Sequence, residues 1–260
     1  MTRSGRVRAS VRAGWRSFLR RRTAVFFTFL FPLLIVVIFG ALVQTQAGSG
    51  GLFTEPAVYY VPGYLAVVVL FTPLSRVGSE VARHREGNRF EKLATTPLTR
   101  GEWLLAQTVV NVVVIGLAAL MLLALVVALT GAAIPLSPAV ALLLVAYVVV
   151  GVALFCGIGA IIGATADSQD GVIATSNTIA LPLLFLSETF VPLDLLPGWF
   201  EPATLLSPLT YFARGVRATT DGGAVPPTGP LAPDVGYLLV LSALAAVFVA
   251  VGALALPRTD

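Results

Sequence analysis

Apolar residues run along this chain in blocks of about twenty, each long enough as a helix to cross ~30 Å of hydrocarbon, with short polar segments between them. The blocks cover residues 24–43, 58–80, 104–129, 138–164, 171–188 and 235–256. Ahead of the first block the period changes. Val7, Val11, Trp15, Phe18 and Leu19 recur at three- and four-residue spacing, with Arg8, Arg12, Arg16 and Arg20 in a stripe beside them. That pattern predicts an amphipathic helix within residues 1–22, lying in the membrane surface with Trp15 at headgroup depth and the guanidiniums on lipid phosphates; the alternative is a disordered basic leader that only enforces orientation. After the fifth block the regularity fails. Residues 189–210 stay apolar, but Pro192, Pro197, Pro202 and Pro208 interrupt them and Asp194 and Glu201 add charge, so no single spanning helix forms there. Short re-entrant helices in the outer leaflet, packed against protein, satisfy such a backbone.

Composition sharpens this into a fold class. The 260 residues are 57% hydrophobic and 12% charged, with mean hydropathy +0.91, against about 25% charged in a soluble domain. The chain reads as an all-α membrane protein of six transmembrane helices, a single domain over residues 1–260 because the spans share one packing interior. The first block has the length of a span and lacks a small-x-small cleavage site, so it reads as a retained helix and not a signal peptide. Lone Cys156 lies in an apolar run and excludes a disulfide framework or a cysteine metal site.

Charge then sets orientation. Basic residues gather between Arg3 and Arg22, between Arg76 and Arg100, and at Arg258, while segments 44–57 and 130–137 carry none. The positive-inside rule places the N-terminus in the cytoplasm, and six spans return the C-terminus there, as expected of a multi-pass protein of the cell membrane. Arg214 and Arg217 break the rule, falling in the 189–234 segment assigned to the outside. The net charge of +4 suits anionic headgroups, and no nucleic-acid-reading module is visible.

The candidate chemistry is sparse. The only lysine, Lys92, stands in GNRFEK without the spacing of a phosphate-binding loop, so ATP hydrolysis is not expected of this chain. With one histidine, His84, there is no metal set and no catalytic constellation, and an intramembrane enzyme is disfavoured. One charged loop remains, residues 83–100. Phe90, Leu93 and Ala94 share a helical face, Glu86, Arg89 and Lys92 lie around the turn, and Pro97 ends the element. The residues alone leave two readings open: an amphipathic helix for a groove on a cytosolic partner, or a solvated loop that only fixes topology. Glu188, at the outer end of the fifth block, is either an outer gate or substrate contact, or a carboxylate in water at headgroup level. Gly151, Phe155, Gly159 and Gly163 recur every fourth residue and predict close helix approach, within the chain or at a dimer seam. Phe26, Phe27, Phe29, Phe31 and Tyr64 line an apolar route or face lipid, and Arg214 and Arg217 pair with Glu201 or with phosphates.

The run REGNRFEKLATTPLTRGEWLLAQ is similar to the Arg-Glu-x-Gly-x-x-x-Glu-x-Leu-x-x-x-Pro stretch between the second and third spans of type-2 ABC exporter permeases, the class that includes daunorubicin-resistance (DrrB-like) membrane subunits. FVPLDLLPGWF and SPLTYFARGVRA resemble the same family's Phe-x-Pro-x-x-x-Leu-Pro-x-Trp and Pro-x-x-Tyr-x-x-x-x-x-Arg patterns, which here involve Phe190, Pro192, Pro197, Trp199, Pro208 and Tyr211. The ordered set covers nearly the whole chain. Asn88-Arg89-Phe90 departs from the Gly-Thr-Leu of many members, which bears on partner specificity. The resemblance implies a permease paired with a second permease copy and with two ABC ATPase subunits that bind the ATP and Mg, no cofactor being held by this chain. It implies a coupling helix at about residues 85–95, with Arg85, Glu86, Gly87, Arg89, Phe90, Glu91, Lys92 and Leu93 at the ATPase. The leader becomes the connecting helix. The implied cargo is an amphipathic drug, antibiotic or lipid; the alternatives are a polysaccharide exporter of the same fold, and a channel or secondary carrier.

Overall fold

The computed structural model describes residues 2–38, 57–131, 134–135, 137–189, 197–220, 225–226 and 230–257. Among them every regular element is a helix: α1 (Arg3–Arg20), α2 (Arg22–Val36), a 3₁₀ turn (Ala57–Tyr60) leading into α3 (Val61–Glu86), α4 (Arg89–Ala94), α5 (Arg100–Thr130), α6 (Pro138–Thr165), α7 (Gln169–Leu186), α8 (Glu201–Thr204), α9 (Pro208–Thr220) and α10 (Pro233–Ala255).

Local chemistry sets the ends of these helices. Thr99 and Glu102 form a reciprocal capping box at the start of α5, and Gly131, with φ of 65°, closes its far end in the left-handed region. Ser137 and Ser168 each accept from a backbone N–H in the first turn of α6 and α7. Pro138 and Pro208 occupy first helical positions, where a missing N–H costs nothing. Among the described residues four helices are long and apolar enough to cross a membrane: Val58–Glu86, Arg100–Thr130, Pro138–Thr165 and Pro233–Ala255. Val25–Val36 is a shorter apolar helix, and α7 begins with Gln169 and Asp170 and carries Asn177 mid-helix. At 1.5 Å per residue α5 is about 46 Å long, beyond the ~30 Å of hydrocarbon, so its first turns extend past the apolar layer.

The helices run up and down between two ends. Arg85 at the close of α3 donates to Gly163 O and Ala166 O at the close of α6, and Arg100 at the start of α5 donates to Leu256 O beyond α10. These contacts, with α4, define one end. At the other, Tyr59 before α3 meets Arg217 of α9, and Tyr147 of α6 donates to Asp234 O at the start of α10. Hence α8 and α9 sit opposite α4.

The core forms where α6 lies between α3 and α10. Glycine makes that possible, as the four-residue spacing predicts. A Cβ at Gly159 would come 2.5 Å from Leu74 O, and a Cβ at Gly163 would strike the Gly78 carbonyl. On the other face of α6 a Cβ at Gly157 would meet Phe248 O at 2.6 Å, so the α6–α10 backbones also touch. Gly163→Leu is therefore expected to force α3 and α6 apart and destabilise the bundle by about 1–3 kcal/mol. Gly116→Leu, with open space around it, should change little. Thermal unfolding in detergent compares the two.

Candidate functional site

The loop singled out in the sequence divides differently from expectation. α3 continues through Glu86, and the break falls at Gly87 and Asn88, whose φ of 50° and ψ of 33° lie in the left-handed region. Arg85 and Glu86 thus end the long helix, and the short helix starts only at Arg89. The start expected at about residue 85 therefore moves to Arg89, because the left-handed break at Asn88 separates the two helices. Arg85 satisfies terminal carbonyls of α6 at 3.2 and 2.7 Å, a favourable place for a cation. Glu86 accepts at 3.2 Å from the backbone N–H and the amide of Gln169 at the start of α7, a favourable place for an anion. One turn of α3 thereby holds the α6–α7 corner.

α4 turns its apolar face inward. Phe90 is buried in a ring cluster with His84 and Trp103, centroids 5.3–5.4 Å apart, geometry suited to edge-to-face attraction. Leu93 is half-buried, while Arg89, Glu91 and Lys92 are exposed. The hydroxyls of Thr95 and Thr96 donate to the last carbonyls of α4, at Lys92 and Leu93. The surface α4 offers is therefore its charged side.

The leader is amphipathic as expected, but its apolar stripe covers protein. Val11, Trp15 and Phe18 pack with Val110 and Val114 of α5, and Gly14 allows the approach, since a Cβ there would lie 3.2 Å from Val110. Arg6 near Glu102, Gly14 near Val110 and Phe18 near Val114 show α1 following the first turns of α5 in the same direction. Trp15 and Phe18 thus meet α5, a contact that the stripe alone does not specify. Arg8, Arg12, Arg16 and Arg20 do face outward. Glu102 fastens the leader, accepting from Arg6 Nη2 at 2.7 Å and Nε at 3.1 Å, with Arg3 Nε at 3.3 Å. It holds those contacts while capping α5. Sequence reasoning missed Glu102, although Thr99-x-x-Glu102 ahead of an apolar run is a capping-box signature. Glu102→Ala is expected to free α1, accelerating tryptic cleavage among its arginines relative to Glu91→Ala at an exposed carboxylate; equal rates would argue against the clamp.

At the opposite end, Glu188 is 3% exposed and has φ of 54°, a conformation that costs a non-glycine residue energy and persists only where surroundings enforce it. Both arginines that broke the charge rule provide the enforcement. Arg214 of α9 pairs through two nitrogens with the Glu188 carboxylate and reaches Thr204 Oγ1 at 3.3 Å. Arg217 donates to the Glu188 carbonyl at 3.1 Å and lies over the Tyr59 ring at 4.1 Å. The partner is thus Glu188, where the sequence suggested Glu201 or phosphate, and burial replaces the alternative of a carboxylate in water. Pro208 opens α9, and Tyr211 donates to Leu205 O at 3.0 Å. Pro197 accepts through its carbonyl from Phe200 N at 2.8 Å, and Trp199 is 76% exposed. Phe190 and Pro192 lie outside the described residues.

Among the described residues no group of three or more His, Cys, Asp or Glu is placed to hold a metal ion. The family profile described as "ABC-2 type transporter" matches residues 6–220. The probable multidrug ABC transporter permease YbhR of Escherichia coli (strain K12) is 24% identical over 154 residues, 59% of this chain and 41% of the relative. The daunorubicin resistance ABC transporter permease protein DrrB1 of Streptomyces coeruleorubidus is 34% identical over 90 residues, 34% of this chain and 30% of the relative. The matched segments span less than half the length of either curated relative.

Proposed function

Because the chain belongs to the ABC-2 type transporter family, we propose that it is the membrane subunit of an ATP-binding cassette exporter that carries an amphipathic drug, antibiotic or lipid out of the cytoplasm or inner leaflet. The chain acts as one permease domain in the cell membrane. α2 and α7 complete six spans with the four long apolar helices, and both termini lie in the cytoplasm. Energy comes from two ABC ATPase subunits, which bind the ATP and Mg. A second permease copy completes the translocation path.

The observation that carries the reading is how α4 is mounted. Its exposed face presents Arg89, Glu91 and Lys92, and its hidden face is seated by Phe90 on His84 and Trp103. The adjoining turn of α3 grips the ends of α6 and α7 through Arg85 and Glu86. A push delivered to the charged face is therefore passed to α3, α5, α6 and α7 together. Buried packing is bistable rather than soft, so a small shift at α4 moves whole helices. α1, clamped at Glu102, brings the leader into the same unit. At the far end, Glu188, Arg214 and Arg217 tie α9 to the close of α7 and the start of α3, and we assign this tie to the outer gate. Within residues 197–210, α8 and the start of α9 are the re-entrant element beside it.

The test is co-purification of the full chain with a candidate cytosolic ABC ATPase, followed by Glu91 and Leu93 substitutions. A stable complex whose ATP hydrolysis responds to those substitutions is expected. Failure of any such ATPase to bind, or stimulation indifferent to both changes, would overturn the assignment. For the gate, Glu188→Gln should impair transport in an assembled complex, and unaltered transport would remove Glu188 from that role.

A further inference from the structure

Between α1, α3 and α5, beside the corner where α1 passes into α2, lies a cavity of about 50 Å³ lined by Gly14, Ser17, Phe18, Arg21, Arg76, Glu80 and Gln107. A single water needs about 10–15 Å³ on this measure, so the space holds several waters or the oxygens of one phosphate group. Its charges do not balance. Glu80 is approached by Arg21 at 3.4 Å, by Arg83, and by His84 Nδ1 at 3.5 Å. Arg76 has no carboxylate within ion-pair distance among the described residues. Its guanidinium lies over the Phe18 ring at 4.4 Å, and its Nη1 is buried without a hydrogen-bond partner. A buried charged donor left unmade is costly, and an ionisable group on a spanning helix marks a functional position whose partner should be sought.

We propose that this cavity binds the phosphate of an anionic amphiphile drawn from the leaflet on the α4 side, with Arg76 and Arg21 as its guanidinium donors. Arg21 and Arg76 line the cavity against one carboxylate, and that carboxylate, Glu80, is already engaged by Arg21 and Arg83, so the space suits an anion and offers a cation no open site. Ser17 and Gln107 add hydroxyl and amide donors at the rim. Phosphate, like carboxylate, has the geometry that paired guanidiniums grip. Exposed Leu19, Phe26 and Phe27 on the flanking turns supply apolar surface for an acyl chain, which favours a lipid phosphate over a free one. Occupancy would add a link from α1 to α3 beside the hold that Glu102 and the apolar face of α5 already have on the leader. The site lies apart from the α4 face and needs no ATPase to be tested.

The experiment titrates the full chain in a neutral detergent with phosphatidylglycerol, phosphatidylcholine and inorganic phosphate, reading bound lipid by native mass spectrometry. Saturable retention of phosphatidylglycerol over phosphatidylcholine is expected, with weak competition by inorganic phosphate; full competition at equal concentration would overturn the lipid and leave a free-phosphate site. Arg76→Gln should reduce retention roughly tenfold, and Gln107→Glu, which keeps Arg76 and adds a negative charge at the rim, should do the same. Arg12→Gln on the exposed stripe should change it less than about twofold. Wild-type retention in either folded cavity variant overturns the site, and Gln107→Glu decides if Arg76→Gln fails to fold.

Discussion

Arg214→Leu is expected to destabilise the protein by about 3–5 kcal/mol, because it leaves the Glu188 carboxylate buried without its main counter-charge. The Glu188 and Arg214 side chains are 2% and 4% exposed, so water cannot replace the lost pair. The backbone of Glu188 adds to the effect. Its left-handed conformation is held by the Arg214 pair on the side chain and by Arg217 on the carbonyl; with one grip gone, relaxation of that strain pulls the end of α7 away from α9. Thermal unfolding in detergent measures the cost. The reciprocal exchange, Glu188→Arg with Arg214→Glu, should recover part of the loss if charge pairing is the cause, whereas Glu188→Gln should be milder than Arg214→Leu because an amide oxygen still accepts from the guanidinium. An Arg214→Leu protein that unfolds like the wild type would show that the pair contributes nothing to the fold.

That pair also shows what a linear reading reaches and where it stops. Placing Arg214 and Arg217 in an outer segment requires only charge counting, and their misfit with the positive-inside rule marks them as unusual. Their partner is a tertiary fact. Glu201 is the nearer carboxylate in sequence, while Glu188 comes within reach only because α9 folds back against the close of α7. The glycine seam is different, since its four-residue spacing puts Gly159 and Gly163 on one helical face and the face itself predicts the contact. The stripe on α1 is equally plain, yet an apolar stripe looks the same whether it meets lipid or α5. Only the Glu102 clamp decides between them, and Glu102 is legible as a cap but not as an anchor for Arg6. At residues 83–100 an overlooked left-handed residue, Asn88, moves the start of α4 by about one turn and gives Arg85 and Glu86 a different task.

The division within that loop leads to the second large effect. If α4 is the element through which ATP energy enters, Glu91→Arg should lower permease-stimulated ATP hydrolysis roughly tenfold while leaving the fold intact, since charge reversal on an exposed contact face penalises docking through like-charge repulsion. Tenfold corresponds to about 1.4 kcal/mol, a loss within the reach of one exposed charge. Phe90→Ala should also uncouple, by another route: it empties the aromatic seat between His84 and Trp103, so α4 still meets the ATPase but no longer passes its motion to α3 and α5. The two variants separate in binding. Glu91→Arg should weaken co-purification of the ATPase, and Phe90→Ala should retain the complex with stimulation lost. If both variants hydrolyse and transport like the wild type, the charged loop does no more than fix topology, and coupling must be sought along the exposed face of α1.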